Sequence, residues 1–532
     1  MLNAGTNRSP VRRAEFIAVL VPVIVMSTLG LWGLDRGGMW RDEAATFQVA
    51  CRSMPQIWHL LGSVDAVHGL YYLLMHLVLA VRPGEVLLRL PSVFGAAAAA
   101  GLVAALGTRL SRPRVGLWAG LLYAVTPMVG HYAQEGRSYA LVAAGVAGAT
   151  LLLVRAVRGG RWWPYGVVLA VTCLLHEFAV LVLLAHACTL AIGRVPGSVW
   201  RRWLCAAGAA VLALLPLVLV SRGQAAQVAW LRTPDLRSAE ALVREFAGPE
   251  RVVLGLSAVL MVLGVCAPRP QRGLSLAGVA LPLMVVPPVA LMAVSQFHPL
   301  YDDRYVLYAL AGAPLLVAAG AERVAGAVGR LWVRGGRRVP REGAPRRVGT
   351  ALLGVLAVCG VLVVQFPLLR ADRLAANRPD DLAAVSAVVR HAVRPGDPVL
   401  FLPSLERRSA LAYPADFRGV RDVALKVSAA AGGTLYGREA GPGELRRRIG
   451  GLAYVWVVSE PFALRPSWTP WNRTERAKLA AVDEGFVARE EYVGRGIILR
   501  LYVRRTSPDH HPTQARGSRV SGSPSISVRT TR

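Results

Sequence analysis

The run FIAVLVPVIVMSTLGLWGL, Phe16 to Leu34, carries no charge, and MWRDEA follows it closely at Met39 to Ala44. A helix crossing a bilayer needs ~20 apolar residues, so the first stretch is long enough to span. Arg8, Arg12 and Arg13 precede it. That pattern also fits a signal peptide, but the run is long and no A-x-A site follows, which predicts an uncleaved first span. Positive charge before the span puts the N-terminus inside and Asp42-Glu43 outside. Two adjacent carboxylates where a chain emerges into water can serve as base, metal ligand or cation binder. They can also cap a helix starting at Ala44, because acids are favoured in a first turn.

Working outward, composition agrees with the run. The chain has 532 residues, 54% hydrophobic and only 17% charged, with a mean hydropathy of +0.43. A soluble chain would be nearer a quarter charged. The net charge of +29 sits in short arginine clusters between apolar runs. Cytoplasmic loops look like that, so nucleic acid is not expected as a partner. Cys51 falls in a loop, whereas Cys173, Cys188, Cys205, Cys266 and Cys359 lie in or beside apolar segments. They read as small core residues, without a disulfide framework or zinc site.

Arginine clusters then set the topology. The segment 69–81 is too short to cross, and one crossing at 86–106 already separates the outer loop from Arg109, Arg112 and Arg114. Residues 69–81 therefore read as an interfacial or re-entrant helix. Further crossings are expected at 115–130 and 138–154, with two inside 162–193 that turn at His176-Glu177. The series continues at 203–220, 252–267, 274–296, 305–320 and 349–369. A long loop is expected at 221–250, and a strongly basic inner loop contains Arg330, Arg334, Arg337 and Arg338. The expectation is a polytopic α-helical membrane protein of about eleven spans, N-in and C-out.

After Arg370 the pattern becomes that of a soluble fold. Asp380-Asp381 is expected to cap a helix to Val393, and strands are expected at 399–402, 452–458 and 497–503, with a helix near 474–483. The expected division is a transmembrane domain over 1–370, an extracytoplasmic α/β domain over 371–505, and a disordered tail over 506–532.

Polar residues gather at the outer span ends: Tyr132, Gln134, Glu135, Arg137 and Tyr139; His176 and Glu177; His298, Tyr301, Asp302, Asp303, Arg304 and Tyr305. Loop residues at an interface are commonly polar without any chemistry. Here every group falls on the face that carries Asp42-Glu43. Ionisable groups near membrane depth cost ~2.5–3.5 kcal/mol each at the centre, so they tend to line cavities.

Taken together these residues resemble the GT-C glycosyltransferases, polytopic enzymes that use polyprenyl-phosphate sugars and include protein O-mannosyltransferases and aminoarabinose transferases. Asp42-Glu43 resembles the acidic pair of that family after the first span. His68-Gly69-Leu70-Tyr71-Tyr72-Leu73-Leu74 is similar to HPPLYYLL, and Leu88-Arg89-Leu90-Pro91-Ser92 to LRLPS. Residues 132–141 resemble YSQEARMYAL, His176-Glu177-Phe178 resembles HYF, and Asp303-Arg304-Tyr305 the late RY motif. The likeness runs in order over about 1–330. Gly69-Leu70 in place of Pro-Pro, and Glu177 in place of an aromatic, depart from the pattern and leave the donor open.

The resemblance implies transfer of mannose or another hexose or pentose from a polyprenyl-phosphate donor, with inversion. The acceptor would be an extracytoplasmic glycan, lipid or protein, and the setting a plasma membrane and its lipids. Asp42 would be the base and Glu43 its orienter or a ligand for a divalent metal (Mg2+ or Mn2+). Arg137, Arg304 and Tyr305 would hold the donor phosphate, and His68, Tyr71, Glu135 and His176 would line the site. Independently of the family, an activated phosphodiester asks for a base on the acceptor and cations on the leaving group, and arginine's fork matches phosphate oxygens. A transporter or flippase of lipid-linked sugars is the competing reading. It is disfavoured by the absence of matching Gly/Pro-broken spans or an internal repeat.

Overall fold

The computed structural model describes residues 8–266, 273–334, 344–374, 377–378, 380, 382–465, 467–493, 496–505 and 527–530, and each apolar run named above is helical in it. The helices begin with α1 (Arg8–Leu31), α2 (Arg41–Ala50), α3 (Met54–Leu61), α4 (Gly69–Leu79), α5 (Glu85–Leu110) and α6 (Pro113–Val125). They continue with α7 (Pro127–Tyr132), α8 (Tyr139–Val157), α9 (Trp163–Leu175), α10 (Val182–Ile192) and α11 (Gly197–Arg222). Then come α12 (Leu236–Ala247), α13 (Arg251–Val265), α14 (Leu276–Val294), α15 (Gly312–Arg334) and α16 (Ala344–Asp372).

Among the described residues seven helices are long and apolar enough to cross a membrane, or eight if α12 and α13, bent by 83°, count as one broken span. Of the other expected crossings, 252–267 is the second arm of that bent pair. The remaining three correspond to the shorter helices α6, α9 and α10. The expected loop at 221–250 is corrected: it contains α12. Asp235 starts that helix by accepting the Ser238 backbone N–H at 2.9 Å, and Leu242 and Phe246 are buried from it. The inner loop expected around Arg337 lies outside the described residues.

The chain forms two compact units: Met1–Leu34, Asp65–Tyr71 and Arg89–Asp372 make the first; Asp35–Val64, Tyr72–Leu88 and Arg373–Arg532 the second. The segments around α2–α3 and most of α4 thus fall with the C-terminal chain rather than with the spans that flank them.

In the first unit α1 packs on α6, α8 on α9, α9 on α11, α10 on α14, and α15 on both α13 and α14. Apolar side chains gain little from leaving lipid for protein, so close backbone approach through small residues drives such packing. At the α13–α15 crossing a Cβ on Gly320 would lie 1.9 Å from the Leu260 carbonyl, and one on Gly264 would lie 2.3 Å from that of Leu316. Arg89 is fully buried and donates to the Leu34 carbonyl at 3.0 Å, which ties α5 to the exit of the first span. Large apolar side chains of α1 and α16 stay exposed, as lipid-facing residues would.

The second unit is α/β. Its strands are β1 (Pro398–Leu402), β2 (Arg421–Asp422), β3 (Leu425–Val427), β4 (Arg438–Glu439), β5 (Tyr454–Ser459), β6 (Phe486–Val493), β7 (Ile498–Arg504) and β8 (Ser527–Thr530). Six make one sheet in the order β2-β1-β5-β7-β6-β8, with β1 parallel to β2 and β5 and the other pairs antiparallel. Helices α17 (Leu382–Ala392), α18 (Arg408–Ala412), α19 (Pro442–Gly450) and α20 (Arg473–Gly485) complete the unit. The three expected strands and the two expected helices are present. The tail expected to be disordered from Thr506 lies mostly outside the described residues, and Ser527–Thr530 instead pair with β6, whose edge accepts another strand.

Candidate functional site

The sequence-predicted site residues divide between the two units. In the first, broken helices supply the cluster. Thr126 interrupts α6 and α7, and the turn after α7 carries Glu135 and Arg137, both buried. Ser92 of α5 donates to the carbonyls of Glu135 and Arg137 at 2.6 and 2.9 Å, and Gln134 donates to those of Gly30 and Trp32 at 2.8 Å. The turn is therefore pinned through its backbone carbonyls. A second break separates α9 from α10. His176 is extended there, buried, and followed by a 3-10 turn over Glu177–Leu181. A third is the 3-10 segment Asp303–Ala311 before α15.

These breaks bring their residues together. The His176 ring lies 4.9 Å from Tyr305, 5.6 Å from Tyr139 and 6.1 Å from His68 between centroids. The Arg304 guanidinium carbon sits 5.8 Å from the Tyr139 ring centre and 5.7 Å from that of Tyr305, within reach of a cation–π attraction. Arg304 and Arg137 both bear electrostatically on His176 and Tyr139. Arg304 Nε also stands 3.2 Å from Asp302, and Tyr132 donates to Asp303 at 3.3 Å. Burial, helped by the neighbouring Asp303, pushes Asp302 up to about 7 despite Arg304. His68, Arg137, His176, Arg304 and Tyr305 thus come near one another, and Glu135 shares the turn of Arg137. Tyr71 is fully buried at the start of α4. Glu177 turns away to accept a hydrogen bond from Ser221 at 2.8 Å. Tyr139 is the member that the site expectation left out, although its place beside Arg137 in the same polar turn was a usable signal.

In the second unit Asp42 and Glu43 lie in the first turn of α2, which starts at Arg41 and not at Ala44. Trp40 occupies the N-cap without a side-chain bond, so neither acid is the cap. Asp42 is half-buried and Glu43 fully buried. Arg378 Nη1 donates to the Glu43 carboxylate at 3.2 Å. Asp380 is corrected in its role: its carboxylate takes two side-chain bonds from Arg41 at 2.8 Å and the Arg41 backbone N–H at 3.1 Å. Burial alone would raise Asp380, and the Arg41 bonds outweigh it and hold it below the usual carboxylate range. Arg378 and Asp380 went unread as site neighbours because nothing in the local pattern ties residues so far along the chain to α2.

Among the described residues no three His, Cys, Asp or Glu side chains come together as a metal-holding group, and Glu43 meets the Arg378 guanidinium.

No family model and no curated protein sequence matches the chain. Solved structures do. ArnT from Cupriavidus metallidurans bound to undecaprenyl phosphate superposes with a TM-score of 0.56, covering 91% of this chain and 97% of its own at 14% identity. The apo form of ArnT gives the same values. The chain shares the fold of ArnT. The archaeal oligosaccharyltransferase AglB from Archaeoglobus fulgidus, solved with an inhibitory peptide and a dolichol-phosphate, gives a TM-score of 0.44 at 12% identity, covering 94% of this chain and 75% of that one. At 14% identity the likeness to ArnT concerns the fold and assigns no residue roles.

Proposed function

We propose that this protein is a membrane glycosyltransferase that moves a sugar from a polyprenyl-phosphate donor to an acceptor on the extracytoplasmic face of the plasma membrane. The observation that carries the reading is Arg304 faced by the rings of Tyr139 and Tyr305, with Arg137 bearing on the same group. The planar fork of a guanidinium matches phosphate oxygens and stays charged at any physiological pH. ArnT, with the same fold, was solved with undecaprenyl phosphate.

In this reading the acceptor hydroxyl gives its proton to Asp42 as its oxygen bonds to the anomeric carbon. The bond from that carbon to the phosphate oxygen breaks with inversion, and polyprenyl phosphate leaves with the electron pair. Arg137 and Arg304, with Tyr305, take up the charge that develops on the phosphate. Glu43 orients its neighbour, and His68, Tyr71, Glu135 and His176 line the site. A hexose such as mannose, or a pentose, is the proposed sugar, and a glycan, lipid or protein the acceptor.

Asp42→Asn tests the base. It keeps size and hydrogen-bonding capacity but removes basicity. The expected result is a folded variant that binds polyprenyl-phosphate sugar normally and transfers it at least ~10²-fold more slowly. Measured with purified protein in detergent, wild-type turnover in this variant would remove the base and favour transport of the lipid-linked sugar.

A further inference from the structure

The chain after the last span holds the acid pair in place. Four N–H groups at a helix N-terminus lack partners within the helix, and α2 has no side-chain cap of its own. Asp380, 1% exposed, fills that gap from 339 residues away: it accepts the Arg41 backbone N–H and clamps the same residue's guanidinium bidentately. Two residues earlier Arg378 pairs with Glu43 through Nη1 and donates to the Arg36 carbonyl through Nη2 at 3.3 Å. One short stretch thus grips residues 36, 41 and 43, ahead of the acid pair and within it.

The grip continues in both directions. Met39 N–H donates to the Tyr413 hydroxyl at 2.7 Å, and that hydroxyl donates to Glu85 at 2.5 Å. A Cβ on Gly38 would fall 2.4 Å from that of Ala383, so only glycine lets the loop pass this close to α17. At the other end of α2, Gln48 donates to the Leu435 carbonyl at 2.9 Å and Arg52 to that of Ala429 at 3.3 Å. Behind the clamp, Arg408 bridges Glu406 and Glu460, and Glu460 stands 4.0 Å from Arg41. Both ends of α2 are fastened to the C-terminal chain by polar bonds with directional geometry.

We infer that Asp380 and Arg378 are positioning residues for the transfer reaction, fixing the first turn of α2 so that Asp42 is presented in one orientation. The inference rests on the proposed role of Asp42. Neither residue is assigned contact with donor or acceptor, so their loss acts on turnover and leaves donor binding intact.

The experiment measures kcat and donor KM for Asp380→Asn, Arg378→Gln and Arg378→Lys, with polyprenyl-phosphate sugar as the probe and rates expressed per folded molecule by size-exclusion peak. Asp380→Asn and Arg378→Gln are each expected to lower kcat about 10-fold or more at unchanged KM, since small misplacements of a reacting group are costly. Arg378→Lys should recover most of the loss, because a single charge can remake the one bond to Glu43. Wild-type kcat in the first two variants overturns the inference. So does a loss confined to folded yield, or one that lysine fails to recover. Asp42→Asn is run beside them: if it keeps turnover, the proposed base has failed, whereas an inactive Asp42→Asn with fully active clamp variants sinks the positioning role alone.

Discussion

Two groups of cations, one in each unit, are held in different ways. In the first, Arg304 is faced by two aromatic rings and by Asp302, whose carboxyl burial holds above its ordinary range. In the second, buried cations meet carboxylates directly. Arg407 bonds to Asp422 at 2.6 Å and Glu439 at 2.9 Å, and fully buried Lys478 to Glu439 at 3.0 Å and Glu475 at 2.8 Å. A paired cation builds structure, because desolvating it is tolerable only with its partners in place. Arg304, faced by rings, is the cation proposed to meet the donor phosphate. The contrast separates residues that fold the molecule from residues that are expected to act.

The largest expected effect tests the structural side. Lys478→Ala removes the buried cation shared by Glu439 and Glu475 and is expected to destabilise the protein by about 3–5 kcal/mol, the usual result of removing one partner of a buried pair. Thermal unfolding in detergent reads this as a lowered midpoint or loss of the monodisperse peak. A variant as stable as wild type would break the contrast from that side.

Arg304→Ala should do the reverse. Its folding is expected to survive while affinity for polyprenyl-phosphate sugar falls about 10–100-fold, the worth of one or so charge-assisted hydrogen bonds. Arg304→Lys should lose nearly as much, because a point charge does not replace a fork. Unchanged donor affinity in both would make Arg304 an anchor of the interface and nothing more.

The smallest effect sharpens the contrast through pH. Asp302 sits above the ordinary carboxylate range, so it is mostly neutral below about pH 7 and ionised above it. Its contribution to stability is greatest at low pH and is lost as pH rises through 7. Ionisation also compensates Arg304, so donor KM is expected to rise a few-fold between pH 6 and 8, within the range for a partly solvated pair. Asp302→Asn should flatten that rise. A KM that falls with pH in the wild type would reverse the sign and detach Asp302 from the donor.

Much of this was legible in the residues themselves. The length of FIAVLVPVIVMSTLGLWGL and its successors marked the helices. The polar interruptions at His176-Glu177 and Asp302–Arg304 marked the breaks that now carry the cluster, because an ionisable residue in an apolar run is tolerated only where it can face polar company. The helix at 236–247 was missed although its Asp235 cap stood in plain view, because the mixed charge of 221–250 masked the spacing of Leu242 and Phe246.

What the sequence by itself determined, then, is the succession of spans, the basic loops between them, and the residue types gathered at the breaks. Run length and helical spacing depend on backbone bonds that reach only a few residues along the chain. The tertiary structure alone decided that 35–64 and 72–88 fold with the C-terminal chain, that Ser527–Thr530 join the sheet, and that Asp380 caps α2 rather than the helix it precedes. An ion pair across 339 residues leaves no periodic trace. It exists only because the folded path of the chain brings the Arg41 guanidinium within hydrogen-bond reach of a buried carboxylate that would otherwise be too costly to bury.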